Sequence, residues 1–116
     1  MASKELSNPI IKHFENSSIA AGDSFDGEWD SDDNYIIRHI LITADGAAPT
    51  QSTITIRVDG KPITKDKALC KSFGVNAENA LLFNIPLGKD RKFEYEGTNN
   101  EGATKTFVID LVMEKT

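Results

Sequence analysis

The chain has 116 residues and a mass of 12.7 kDa, room for one domain and no second. Thirteen Lys and Arg against 18 Asp and Glu leave a net charge of −5, which argues against binding nucleic acid or an anionic membrane through bulk charge. The single cysteine, Cys70, excludes an internal disulfide and a cysteine-rich zinc site, while 39% hydrophobic and 8% aromatic residues suffice for a small core.

The opening stretch, Met1 to Ser18, lacks the apolar centre of a signal peptide. No apolar run approaches the roughly 20 residues of a membrane helix. The expectation is therefore a protein made in the cytoplasm, with residues 1–8 as a flexible polar N-terminal arm and 9–116 as one domain. Pro9 to Phe14 and Ser17 to Trp29 read as strands, the second broken around Ala21-Gly22-Asp23. Tyr35 to Thr43 reads as a longer, almost continuously apolar strand, expected near the middle of a sheet.

Ser52 to Asp59 shows the clearest period-two alternation, with Ile54, Ile56 and Val58 on one face and Thr53, Thr55 and Arg57 on the other. It runs into Asp59-Gly60, the turn chemistry of a two-residue hairpin, with Lys61 to Thr64 as the return strand. Lys65 to Phe73 is the one helical candidate, with Thr64 as N-cap and Gly74 beyond its end, but it carries no apolar stripe. Asn79 to Leu87 and Arg91 to Glu96 are two further strands around the Gly88-Lys89-Asp90 turn. Thr104 to Met113 is the last, with Phe107, Ile109 and Leu111 on one face.

Seven or eight strands at such spacing predict an all-β, two-sheet antiparallel sandwich. A jelly roll is preferred over an immunoglobulin-like domain, because a lone Cys70 downstream of Trp29 does not make the Cys…Trp…Cys arrangement.

Three constellations bear on chemistry. The stretch Asp23 to Asn34 holds six carboxylates, and Asp30, Asp32 and Asn34 copy the first three ligand positions of an EF-hand loop. Tyr35 and Leu41 stand where that loop needs its glycine and its bidentate glutamate, so a solvated turn is preferred, with calcium the one candidate ion and no other cofactor expected. His13 and His39 lie on separate elements and suit structural roles better than zinc or general-base work. Cys70 lacks both a second cysteine in a CxxC motif and an adjacent base, no GxSxG elbow or phosphate loop occurs, and an enzyme is not expected. Trp29 and Tyr35, beside these carboxylates, form a candidate platform for a carbohydrate or receptor.

Ser18-Ile-Ala-Ala-Gly-Asp-Ser-Phe25 is followed by Glu28-Trp29, the Tyr35 to Thr43 strand, and Ile54-Thr-Ile-Arg-Val-Asp-Gly60. Over residues 17–60 this layout resembles small jelly-roll structural proteins of tailed phages and archaeal viruses: decoration, head-fibre and tail-associated modules. The resemblance implies no catalysis, localisation in the virion, and partners that are further copies of the chain, expected as a trimer, and a larger protein lattice. The first expectation is thus a non-enzymatic virion structural protein. Pro9-Ile10-Ile11 would add a strand to a neighbour's sheet, with Ile10, Ile11 and Phe14 as the contact residues. The alternative is a carbohydrate- or receptor-binding module, calcium-assisted, using Trp29 and Tyr35.

Overall fold

The computed structural model describes residues 9–64, 67–76, 78 and 80–116. Among these, nine strands and one 3₁₀ turn form in chain order: β1 (Pro9–Ile19), β2 (Ser24–Asp30), β3 (Tyr35–Ala44), β4 (Thr53–Val58), β5 (Lys61–Pro62), β6 (Ala68–Leu69), the turn Cys70–Ser72, β7 (Ile85–Leu87), β8 (Lys92–Thr98) and β9 (Lys105–Lys115). One sheet, here sheet I, has the order β1-β9-β3-β7; sheet II has the order β2-β8-β4-β5, with β6 also on β4. Every pairing is antiparallel. The pairs are nested, first strand with last, second with second-last, so the chain is a long folded ribbon wound over itself. That winding is a jelly roll.

The inner layer follows from alternation. Ile54, Ile56 and Val58 of β4 are buried, as are Phe93 and Tyr95 of β8 and Phe107, Ile109, Leu111 and Met113 of β9. The Asp59-Gly60 turn has positive φ at both residues, 54° and 76°, as a type I′ hairpin requires. In sheet II each of two aromatics lies opposite a glycine, Phe25 facing Gly97 and Tyr95 facing Gly27. The rings lie over the space that the glycines leave: a Cβ at Gly27 would come within 2.5 Å of the Tyr95 hydroxyl, and one at Gly97 would run into the Phe25 ring. Phe25 in turn stacks on Phe107 of sheet I at 4.3 Å between centroids, tying the two layers together.

Several expected elements differ. The return strand after Gly60 is only two residues long, and a second short piece, β6, pairs farther along β4, which raises the strand number to nine. The helix expected over 65–73 is absent from its described part: Ala68–Leu69 is extended, the Cys70 amide bonds the Ser52 carbonyl, and only Cys70–Ser72 turns. Lys65 and Asp66 lie outside the described residues, and Thr64 accepts a bond from the Ile56 amide instead of capping a helix. The strand expected from Asn79 to Leu87 narrows to Ile85–Leu87; Asn79 too lies outside the described residues. A bulge at Arg38 interrupts the ladder that the rest of this segment would have joined.

The end of the sandwich beyond β4 and β8 is closed by polar side chains. Asn99, fully buried, donates to the carbonyls of Ile19 and Ala103, and its Oδ1 accepts from the Glu101 amide. The Glu101 carboxylate accepts from the amides of Thr50, Gln51 and Ser52 and from the hydroxyls of Thr50 and Ser52, at 2.7 to 2.9 Å. Desolvation, the largest single influence, pushes this carboxyl up. The hydrogen bonds together outweigh it and hold the group down at about 2.

Candidate interaction surface

The bulge at Arg38 determines what the outer face of sheet I carries. Tyr35 and Ile37 point inward; with strict alternation His39 would follow them. The extra residue shifts the phase, so Ile40, Ile42 and Ala44 take the inner positions and His39, Leu41 and Thr43 the outer ones. His39 then lies in register with Val112 on β9, which lies in register with Ile11 on β1. His39 is buried there, and its Nδ1 donates to the Leu81 carbonyl at 3.0 Å. Arg38 bonds Glu114 and Asn84, and its carbonyl accepts from the Phe83 amide. These bonds fasten residues 81–84 beside β3 and leave Leu81 52% and Leu82 66% exposed. Ile11, two strands across, is 62% exposed.

Beside that row, His13 pairs with Asp110 at 2.6 Å, with Glu15 at 3.7 Å. The hydrogen bond to Asp110, more than any other influence, raises the His13 pKa above its ordinary 6.5; desolvation opposes it and Glu15 adds to it.

The outer face of sheet II has the opposite character. Its outward residues include Asp26, Glu28 and Asp30 on β2, Glu94 and Glu96 on β8, and Arg57 on β4. Asp26 stands directly opposite Glu96, and Glu28 opposite Glu94, two like-charge pairs across one strand boundary. Arg57 faces Glu94 from the other side, and Lys92 reaches Glu28 at 3.2 Å and Asp30 at 3.5 Å. Among the described residues no group of three or more His, Cys, Asp or Glu is arranged to hold a metal ion.

The residues singled out from the sequence are scattered over this frame. Ile10 and Phe14 face inward and pack on the core, Phe14 against Phe93 and Tyr95, so only Ile11 of the expected contact trio is presented to solvent. The segment is not a loose arm: Pro9–Ile19 is the edge strand of the chain's own sheet, paired with β9 on one side. Its outer edge is guarded by Lys12, an inward-pointing charge whose ammonium lies 5.5 Å from the Phe14 ring and 5.4 Å from the Trp29 ring.

Tyr35, 6% exposed, offers no ring face for a sugar; its hydroxyl donates to Asp32 at 2.8 Å, and Trp29, half-buried, packs against it. Of the calcium candidates, Asp32 holds Tyr35, Asn34 Oδ1 accepts from the Lys89 amide, and Asp30 faces Lys92. Each is engaged with a protein partner. Cys70 is buried, and desolvation pushes its thiol up to about 12, far from a nucleophile's range. His13 and His39 stand on β1 and β3 with β9 between them.

Leu81, Leu82 and Lys12 are the surface residues that the sequence reading passed over. The first two sat in a run read as strand, and the third had no visible partner until β1 met β2. Comparison with protein-family models, curated proteins and solved structures gives no match. Among the described residues no helix is long and apolar enough to cross a membrane.

Proposed function

We propose that the protein is a non-enzymatic virion structural module, of the capsid-decoration kind, that works by holding other protein surfaces. The observation that carries this reading is the placing of exposed apolar side chains. Among the described residues Ile11, Leu81 and Leu82 are the three most exposed large hydrophobics; Ile11 ends one row on the outer face of sheet I, and the Leu81–Leu82 segment is fastened at the other end. Single exposed hydrophobics are ordinary, but three at the two ends of one cross-strand row suit a surface that a partner covers. The jelly-roll winding agrees with the resemblance over residues 17–60, and the nested pairing with its polar end closure suits a rigid mount. A sugar-binding alternative loses Tyr35 to the core and retains only Trp29.

The test is whether the chain travels with particles. Virus particles from cultures that carry the coding sequence would be banded on a density gradient and their protein content quantified by mass spectrometry. The chain should band with the particles at a fixed copy number. A chain left in the unbanded fraction would contradict the reading.

A further inference from the structure

We infer that the outer face of sheet I is covered by the same face of a second copy, in a two-fold pair that sets Ile11 of each chain against Leu81 and Leu82 of the other. This rests on the reading of the protein as an assembly module and names its first partner.

The sandwich offers few other surfaces to its own kind. All four sheet edges are guarded against strand addition. On β1 there is the inward Lys12 and a register shift between Asn16 and Ile19, with Ser18 at φ 55°. The edge of β2 carries Asp26, Glu28 and Asp30, and the Asp26 carbonyl already accepts from the Asn16 side-chain Nδ2. The other two edges are made of short pieces: β5, two residues ending in Pro62, with the two-residue β6 farther along β4, and β7, three residues centred on Pro86.

The outer face of sheet II sets carboxylate against carboxylate even within one chain, and two such faces would repel. Sheet I's outer face bears both signs, internally paired as His13–Asp110 and Arg38–Glu114. It can meet its own copy without bringing unpaired like charges together.

Geometry makes the face self-complementary. Ile11 lies one strand to one side of β9, and His39 with the attached Leu81–Leu82 segment lies to the other. A two-fold axis parallel to β9 lays each copy's Ile11 over the other's leucines, an isologous contact. The molecule measures 40 × 33 × 24 Å, so its broad face exceeds the roughly 800 Å² per partner of a standard interface. Such a contact closes as a pair, in contrast to the trimer that the resemblance implies.

Sedimentation equilibrium on the full chain tests the pairing, with Ile11→Lys, Leu82→Lys and, on the opposite face, Glu94→Lys. Melting curves show that each variant is folded. The wild type should be a dimer, the first two variants should weaken it at least tenfold, and Glu94→Lys should not weaken it. Mixing Ile11→Cys with Leu82→Cys chains under mild oxidation should give a disulfide-linked heterodimer.

A monomeric wild type, a dimer indifferent to both lysine variants, or one lost in Glu94→Lys overturns the inference. Banding with particles is read separately, so a monomer that still bands with particles overturns the pairing alone, and a dimer absent from particles overturns the virion reading alone.

Discussion

The two outer faces of the sandwich are built by the same rule and end with opposite properties. In each sheet residues alternate inward and outward away from the bulges, and the inner residues are interchangeable in kind: Ile54 and Ile56 in one, Ile109 and Leu111 in the other. The residues between them set the difference. On sheet II they are Asp26, Glu28, Glu94 and Glu96, which hold water and repel one another across the β2–β8 boundary. On sheet I they include Ile11, Leu41 and Val108, with the Leu81–Leu82 segment fastened alongside. A sandwich thus needs only its inward residues to fold; its outward residues are free to make one face for solvent and the other for contact.

The largest effect should come from undoing the closure that keeps both sheets in place. Glu101→Ala leaves three amides and two hydroxyls without their acceptor. It should cost about 2–3 kcal/mol in urea denaturation near neutral pH. The Glu101 pKa is lowered on folding, so its contribution is present above about pH 4.5 and lost as pH falls toward about 2. The gap between wild type and variant should narrow over that interval, and a gap that persisted at pH 2 would assign the loss to packing.

A smaller effect, a gain on one face and none on the other, should follow from neutralising one carboxylate on each. Glu96→Thr removes the charge facing Asp26 and sets Thr against Thr55. It should stabilise the chain by about 0.5 kcal/mol, less at high salt. Glu15→Thr on sheet I removes the second, more distant partner of His13 and the acceptor of the Ser17 hydroxyl, and should yield no gain. Equal gains at both sites would erase the distinction between the faces.

The smallest effect concerns His13. Its pKa is raised on folding, so the stability from its pairing with Asp110 is present below pH 6.5 and is lost as pH rises through the higher folded value. Denaturation midpoints at about pH 6 and pH 9 should differ less in His13→Asn than in wild type. An unchanged difference would mean that the exposed pair contributes nothing.

Much of the fold could be read directly where one face of a strand is apolar and the other polar, as in Thr53 to Val58 with its Asp59-Gly60 turn. The run from Tyr35 to Thr43 hid its phase, because nearly every residue is apolar and a bulge within it leaves no compositional mark. That bulge decides that His39 faces outward, and so where residues 81–84 attach. For the same reason the contact surface was legible only in part. Ile10, Lys12 and Phe14 share one parity and Ile11 the other, a pattern visible in the chain. The row that Ile11 shares with Val112 and His39, with Leu81 bonded at its far end, is distant in sequence and is assembled by pairing alone. The acidic stretch from Asp23 to Asn34 stood out by composition, yet its members separate onto an outer face and a turn.

Carbene footprinting of the full chain at low and high concentration tests the difference between the faces most directly, because it reads side chains one by one. Labelling of Ile11, Leu81 and Leu82 should fall as concentration rises, while labelling of Asp26, Glu28, Glu94 and Glu96 stays constant. Protection of the acidic face, or of neither face, would contradict the account.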